Sequence, residues 1–227
     1  MNVWKLIGVV IVVALGLGAG PSQANEPEAD SQPAAGTSRT GCPPGTTMVT
    51  VLAEDFEGDW LPAGWYIADD YFSPDCSWRQ DSDGNNTGGT GAYAVGGGEG
   101  CLGELVATGL VSLQFDLSGS QYAWLEFRYD YYLQAGVFGP VAEVDVTNSE
   151  GNHVALVHWE DPQPGPATLA VDIPVEYYQA DVFLVFQHSH VAAPLPADTW
   201  WQVDDVQVFR CEALNYTYLP FVQRKAP

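Results

Sequence analysis

The sequence has little positive charge. Only seven of its 227 residues are Lys or Arg, against 29 Asp or Glu, so the formal net charge is −22 at pH 7. Nucleic acids and anionic membrane surfaces both bind positively charged protein surfaces, so we expect neither as a partner. Acidic charge on an exported protein fits divalent cations or neutral ligands such as glycans, and it also serves solubility alone.

Helical periodicity is almost absent. Short runs rich in Val, Tyr, Phe and Trp recur instead between Gly, Pro, Asn and Asp, which is the pattern of strands and turns. We predict eleven strands, at residues 47–56, 64–68, 77–80, 92–96, 105–111, 122–133, 141–147, 153–159, 167–173, 182–188 and 200–209. This number and spacing predict an all-β fold, an antiparallel β-sandwich of jelly-roll type.

Long apolar runs are lacking except near the N-terminus. Lys5 precedes the run Leu6 to Gly20, and the small residues Ser22 and Ala24 follow it. This is the pattern of a secretory signal peptide, residues 1–24, and it predicts a secreted or cell-surface protein with no transmembrane segment in the mature chain. The alternative is an uncleaved anchor, although the run falls short of the roughly 20 residues that span a bilayer.

The rest of the chain divides by composition. Residues 25–41 contain no large apolar side chain, so we predict a disordered tether there. Residues 42–211 are long enough to bury the core of one domain. Residues 212–227 form a C-terminal tail that is too short to span a membrane; a recognition tag and an additional edge strand both remain open for it.

Cysteines are few, and no two of them are close in sequence. Cys42, Cys76, Cys101 and Cys211 lack the short spacing of a zinc site or a redox motif. An even number in an exported chain predicts two disulfides, with three possible connectivities. Cys42 and Cys211 flank the first and last predicted strands, which are neighbours in such a sandwich. We therefore predict Cys42–Cys211 and, closing a glycine-rich excursion, Cys76–Cys101.

The predicted strand 122–133 shows how alternation assigns side chains to faces. Leu125, Phe127, Tyr129, Tyr131 and Leu133 share the core side. The opposite side is both polar and aromatic. Rings stack on the C–H faces of sugars while neighbouring polar groups bind hydroxyls, so we predict a ligand platform there, although rings also fill cores. Its residues are Trp124, Glu126, Arg128, Asp130 and Tyr132.

Two short motifs resemble a known group of proteins. Phe56-Glu57-Gly58 followed by Gly64-Trp65 opens the predicted domain, and Val203-Asp204-Asp205-Val206 lies in its last strand. The chain resembles, in these residues, the jelly-roll modules of cleaved-adhesin, choice-of-anchor and MAM type, which are similar to jelly-roll carbohydrate-binding modules. The resemblance implies an extracellular recognition or adhesion module that binds a glycan or a surface protein.

The same motifs predict a structural calcium site. First and last strands are neighbours in a jelly roll, so their carboxylates converge, and calcium takes six to eight hard oxygen ligands. The resemblance implies Glu57 and Asp205 as ligands, with Asp55 and Asp204 as further candidates; strand alternation alone does not decide between Asp204 and Asp205.

A second candidate calcium loop lies between the predicted strands 77–80 and 92–96. Asp81, Asp83 and Asn85 have the spacing of the first three EF-hand ligands. Ala92 stands where a bidentate Glu is needed, so an ordinary polar loop is the alternative.

The hypothesis that the chain is an enzyme rests on one segment. Glu143, Asp145 and Asn148 are similar to the Glu-x-Asp-x-x-Glu run of laminarinase-like glycosidases, but Asn148 replaces the acid/base Glu, and its loss would disable the mechanism. We therefore predict a non-catalytic module. The alternatives are a laminarinase-like β-sandwich glycosidase and a purely structural module of the cell envelope.

Overall fold

The fold is that of a computed structural model, which describes residues 41–71, 76–98, 105–133, 138–191 and 199–214. Eleven strands and one 3₁₀ turn, Val175–Tyr177, make up its regular structure in those ranges. The strands are β1 (Thr46–Glu54), β2 (Tyr66–Tyr71), β3 (Arg79–Asp81), β4 (Tyr93–Gly97), β5 (Leu105–Val111), β6 (Ser120–Leu133), β7 (Phe138–Asn148), β8 (His153–Trp159), β9 (Gln163–Asp172), β10 (Val182–Val191) and β11 (Thr199–Ala213).

The strands form two antiparallel sheets. Sheet A has the order β3-β4-β11-β6-β9, with β1 also paired to β11, and sheet B has the order β2-β5-β10-β7-β8. The pairs β4–β11, β5–β10, β6–β9 and β7–β8 are nested in sequence. This nesting is the jelly roll, so the predicted antiparallel β-sandwich is confirmed.

The predicted strands are all present, and their bounds differ for local reasons. β9 begins at Gln163 rather than at residue 167 and includes Pro164 and Pro166. It is the last strand on its side of sheet A, and an edge strand tolerates prolines because it needs no donors on its open side. β11 continues four residues beyond the prediction because it pairs with β1 as far as Ala213.

The core lies between the sheets and follows the alternation predicted for β6. Leu125, Phe127, Tyr129 and Tyr131 are buried, and Leu133 packs against the same cluster. Trp201 adds a central ring from β11, in contact with side chains of both sheets. Burial of a large aromatic side chain stabilises the fold by about 2 kcal/mol or more, so this layer fixes which faces of β6 and β11 point outward. No helix in the described part of the chain is long and apolar enough to cross a membrane.

A disulfide joins the two ends of the domain. Cys42 is bonded to Cys211 with the Cα atoms 5.6 Å apart, as predicted. The bond closes a loop with a sequence separation of 169, and the loss of chain entropy in the unfolded state stabilises the fold by about 4 to 5 kcal/mol. Cys76 is also disulfide-bonded; its predicted partner, Cys101, lies outside the described residues.

Candidate functional site

A cleft opens on the outer face of sheet A. Its volume is about 430 Å³, and we call it the aromatic cleft. It lies where β6 and β11 approach two connections, one between β3 and β4 and one at the start of β9. Its lining residues are Asn85, Asn86, Gly88, Asp130, Tyr132, Gly165, Pro166 and Trp200.

Two stacked rings form the apolar side of the aromatic cleft. Tyr132 and Trp200 are paired across β6 and β11, with ring centroids 4.2 Å apart and planes 19° from parallel. Tyr132 keeps 39 % of its surface exposed. A rigid pair of rings that is open on one side is the kind of surface on which apolar faces of a ligand pack.

Asp130 holds the rings and the neighbouring connection in place. Its Oδ2 accepts a hydrogen bond from the Trp200 indole nitrogen at 3.0 Å. Its Oδ1 accepts another from the Gly165 backbone nitrogen at 2.6 Å. Both carboxylate oxygens are therefore engaged, and Asp130 orients Trp200 while fixing the start of β9 as one wall of the cleft.

The predicted ligand platform is only partly assembled at this cleft. Asp130 and Tyr132 line it, whereas Arg128 lies next to it and donates from Nη1 to the Gly88 carbonyl at 2.8 Å. Glu126 is half-buried one step further along β6. Trp124 is buried, with 1 % of its surface exposed, although alternation predicted an open face at this position.

Trp124 is covered by its own neighbours. Its ring stacks on Phe209 at 5.0 Å between centroids and also contacts Tyr122. The alternation correctly placed Trp124 on the outer face of sheet A. It carried no information about large side chains on β11 that cover this end of the face.

Trp200 was not among the predicted site residues. The pair Trp200-Trp201 contained a usable signal, because alternation sends one of two adjacent strand residues outward. Trp201 is fully buried, so Trp200 has to face the outside of sheet A. Gln202, two residues further on, lies on the same outer face and was missed for the same reason.

A second constellation, the carboxylate cradle, lies beside the cleft and comprises Glu57, Asn85, Thr87, Gly91 and Asp204. Asp204 is only 1 % exposed. Its Oδ2 accepts from the Asn85 side-chain nitrogen at 3.0 Å and from the Thr87 hydroxyl at 3.3 Å. Burial raises the pKa of Asp204 above its usual value, since its hydrogen bonds only partly replace lost water.

Glu57 faces the other side of the same loop. Its Oε1 accepts a hydrogen bond from the Ala92 backbone nitrogen at 3.0 Å. The Glu57 carboxylate packs so closely against the Gly91 backbone that a Cβ atom at residue 91 would collide with it. The Asp204 carboxylate packs against Gly89 in the same way. The Asn85 side-chain nitrogen lies 3.4 Å from the Gly91 carbonyl oxygen, so Asn85 reaches toward both sides of the cradle.

The structure places the remaining predicted metal ligands elsewhere. Asp205 forms an ion pair with Arg128, 2.8 Å between Oδ2 and Nε, and its backbone φ is +48°. This is the irregularity in the β6–β11 pairing between Asp204 and Gln207, and it turns Asp204 rather than Asp205 toward the loop. Asp55 is exposed and its Oδ1 accepts from the Glu57 backbone nitrogen at 3.1 Å.

The loop with EF-hand spacing is organised by its own backbone. Oδ1 of Asp81 accepts from the backbone nitrogens of Ser82 and Asp83 at 2.8 and 3.1 Å, which is an Asx turn. Asp83 is exposed, and Asn85 is directed to Asp204. The described residues contain no group of three or more His, Cys, Asp or Glu side chains that could hold a metal, so a cation in the cradle would also need neutral oxygen ligands.

Two residues of the enzymatic alternative, Glu143 and Asp145, lie on the outer face of sheet B, opposite the core residues Ala142, Val144 and Val146. Glu143 contacts the ring of His158 and holds the pKa of that histidine above its usual value. Asp145 is 3 % exposed, and burial, followed by the charge of Glu143, raises its pKa to about 6. Asn148, at the acid/base position, closes the turn to β8 by accepting from the Glu150 and Asn152 backbone nitrogens at 3.1 and 3.0 Å.

A buried histidine lies on the inner face of sheet B. His188 has no exposed surface, and its ring lies 5.3 Å from that of His190 and 6.2 Å from that of Tyr131. Burial first, and then the proximity of His190, lowers the pKa of His188 to about 3. The imidazole is therefore neutral within the fold at physiological pH.

Comparison with known proteins finds similarity in structure only. No family model and no curated protein sequence matches the chain. Solved structures that match include the K1 cleaved adhesin domain of Lys-gingipain from Porphyromonas gingivalis W83, with 17 % identity over 70 % of this chain and 98 % of that chain at a TM-score of 0.49.

Two carbohydrate-binding modules are also among the matches. TmCBM61, solved with β-1,4-galactotriose, has 14 % identity over 69 % of this chain and 94 % of that chain, with a TM-score of 0.47. The CBM22-1 xylan-binding domain of Paenibacillus barcinonensis Xyn10C has 13 % identity over 73 % and 96 %, with a TM-score of 0.42. Adhesin and carbohydrate-binding jelly rolls are the groups that the sequence motifs resemble. At these values the likeness carries no argument about function.

Proposed function

We propose that this chain is a secreted, non-catalytic recognition module that binds a neutral glycan in the aromatic cleft. The observation that carries the proposal is the stacked pair Tyr132 and Trp200, held by Asp130 beside an open cavity. Flat rings flanked by amide and backbone polar groups suit a sugar, whose C–H face is apolar and whose edge carries hydroxyls. Asn85, Asn86 and the backbone of Gly88 and Gly165 supply such groups.

The charge of the cleft favours an uncharged ligand. Among the residues that the structure describes in its lining, Asp130 is the one carboxylic acid and none is Lys or Arg. The neighbouring Arg128 is engaged with Asp205 and with the Gly88 carbonyl. An anionic glycan would have to leave water beside a carboxylate without gaining a cationic partner, which costs free energy.

The sequence pattern and the disulfide both support secretion. Residues 1–24 have the pattern of a signal peptide. The Cys42–Cys211 bond would be reduced in the cytosol and persists in oxidising compartments. We therefore assign the mature domain to the cell surface or the extracellular space.

The carboxylate cradle fits a structural calcium ion. Asp204 is a buried carboxylate that accepts hydrogen bonds from the Asn85 side chain, the Thr87 hydroxyl and the Asp205 backbone nitrogen, and Glu57 faces the same glycine loop. Calcium binds carboxylate, amide and carbonyl oxygens together. Glu57, Asp204 and the Gly91 carbonyl would hold it. Asn85 would join them with its side-chain amide turned so that Oδ1 replaces Nδ2 on the side of Asp204, and the charge of the ion would compensate both carboxylates.

The proposal is tested by calorimetric titration of the domain, residues 25–227, with neutral and anionic polysaccharides. We expect at least one neutral glycan to bind, and Trp200→Ala to weaken its binding at least about 30-fold, as expected for a hot-spot ring worth about 2 kcal/mol. Glu143→Gln, on sheet B, serves as the matched control and should bind like the unaltered domain. An unchanged affinity in Trp200→Ala would refute the site.

The enzymatic alternative is tested with the same proteins. Incubation with β-glucans should release no reducing ends, because Asn148 is committed to the β7–β8 turn and cannot donate a proton as a carboxylic acid does. Sugar release that disappears in Glu143→Gln would overturn the non-catalytic reading.

A further inference from the structure

One loop belongs to both the carboxylate cradle and the aromatic cleft. Residues 82–92 join β3 to β4, and we call them the bridging loop. Asn85 contacts Asp204 in the cradle and also lines the cleft. The next residues, Asn86 and Gly88, line the cleft as well. Any change that displaces this loop at one site therefore displaces a wall of the other.

Strand β11 supports the bridging loop with successive side chains of one face. Trp200, Gln202 and Asp204 alternate outward while Trp201 and Val203 fill the core. Trp200 forms the ring side of the cleft, and Asp204 forms the buried carboxylate of the cradle. Gln202 stands between them, roughly 7 Å from each along the strand.

Gln202 ties the bridging loop to the sheet with both ends of its amide. Its Oε1 accepts from the Asn86 backbone nitrogen at 2.8 Å, and its Nε2 donates to the Gly84 carbonyl at 3.2 Å. Gln202 is buried, so each of these hydrogen bonds is costly to leave unmade. A second tie comes from β6, where Arg128 donates to the Gly88 carbonyl.

We propose that cation binding in the cradle and saccharide binding in the cleft are coupled through the bridging loop, with Gln202 as the positioning residue. The inference rests on the proposed function and deepens it. A cation held by Asp204 and Glu57 fixes Asn85, and the Gln202 amide, bonded to Gly84 and Asn86 on either side of it, transmits this order to Asn86 in the cleft wall. By linkage, a saccharide that needs the ordered wall raises the affinity for the cation by the same factor.

The first experiment uses calcium alone and therefore does not depend on the identity of the saccharide. Hydrogen exchange of the bridging loop is measured with calcium and with chelator, in the unaltered domain and in Gln202→Ala. We expect calcium to slow amide exchange through residues 84–88 in the unaltered domain. In Gln202→Ala the slowing should remain near Gly91 and Ala92 and disappear at Asn86, which loses its bond to the sheet.

Two results of this first experiment would overturn the inference. Protection confined to Gly91 and Ala92 in the unaltered domain would show that the cation does not order the cleft wall. No calcium response at all would remove the cradle as a cation site and the coupling with it, while the glycan proposal, tested by Trp200→Ala, would stand separately.

The second experiment measures the coupling itself with a glycan that the titrations identify. We expect calcium to tighten saccharide binding about tenfold in the unaltered domain, within the range common for coupled sites, and less than twofold in Gln202→Ala. Gln187→Ala is the matched control, since Gln187 is a glutamine of sheet B that bonds to Asp145, and it should retain the tenfold effect. Equal saccharide affinity with and without calcium in the unaltered domain would overturn the coupling and leave the glycan site intact.

Discussion

The outer faces of the two sheets carry similar residues and are built differently. On sheet A the polar side chains of β6 and β11 reach out to the bridging loop: Gln202 to Gly84 and Asn86, and Arg128 to Gly88. The bridging loop is thereby held as a wall beside Tyr132 and Trp200. A concave site results because the hydrogen bonds leave the plane of the sheet.

On sheet B the polar side chains bond to their neighbours on adjacent strands. Glu143 of β7 pairs with His158 of β8, and Asp145 of β7 accepts from Gln187 of β10. Both bonds stay within the sheet and hold no loop over it. The difference shows that the composition of a strand face does not decide whether it becomes a binding site. What decides is whether its polar side chains bond to loops above the sheet or to neighbouring strands within it.

The two sheets should also differ in their response to acid, and His188 on sheet B gives the largest expected effect. Its pKa is lowered to about 3 in the fold, so between that value and its usual 6.5 the unfolded chain binds more protons. The free energy of unfolding therefore falls as pH drops from about 6.5 to about 3, by about 1.4 kcal/mol per pH unit and on the order of 5 kcal/mol in total.

His188→Leu should remove this contribution while His153→Gln, at an exposed position of β8, should keep it. Urea unfolding of the three proteins between pH 4 and 7 measures the effect. A pH slope that is the same in His188→Leu as in the unaltered domain would show that the buried ring is not its source.

Asp145 gives the next largest effect, and its sign is opposite. Its raised pKa of about 6 means that the folded state binds more protons than the unfolded one between pH 3.8 and 6. Its contribution to stability is therefore fully present below pH 3.8 and is lost as pH rises to about 6. Asp145→Asn should stabilise the domain at pH 7 by on the order of 2 kcal/mol, because no charge is buried and Gln187 can still donate to the amide oxygen.

Thermal unfolding at pH 7 and pH 4 checks this prediction. The melting temperature should rise in Asp145→Asn at pH 7 and change little at pH 4, and Asp161→Asn at an exposed position should have little effect at either pH. A destabilised Asp145→Asn protein at pH 7 would mean that the ionised carboxylate has a favourable role on sheet B.

The smallest effect compares two tyrosines of equal exposure. Tyr132 on sheet A and Tyr66 on sheet B are 39 % and 41 % exposed. Tyr132→Ala should weaken saccharide binding about tenfold, because Trp200 loses its stacking partner, and Tyr66→Ala should leave it unchanged. Titration with the same neutral glycan measures both. Equal losses in the two variants would move the binding surface away from the aromatic cleft.

Most of the fold was predictable because strand alternation is a local signal. The alternation from Leu125 to Tyr131 shows which side chains face the core, and turn residues mark where each strand ends. The disulfide between Cys42 and Cys211 followed from the adjacency of first and last strands. Edge-strand prolines in β9 were the exception, because only the sheet order shows that Pro164 and Pro166 need no partner on their open side.

The site was predictable only in part. Asp130 and Tyr132 were identified from β6 alone, but their partner Trp200 depends on the β6–β11 register. The choice between Asp204 and Asp205 depends on the irregularity at this point of β11, which alternation cannot express. The burial of Trp124 could not be predicted from β6, because the ring that covers it, Phe209, lies on the neighbouring strand β11.

The Cys42–Cys211 disulfide has a mechanical consequence. The chain enters and leaves the domain at this bond, so tension applied to the two ends passes between Cys42 and Cys211 and does not load the strands between them. Trp200 lies eleven residues before Cys211 on β11, roughly 35 Å away along the strand. A ligand held in the aromatic cleft and pulled against either end would load β11 lengthwise, against the many hydrogen bonds that it shares with β1, β4 and β6.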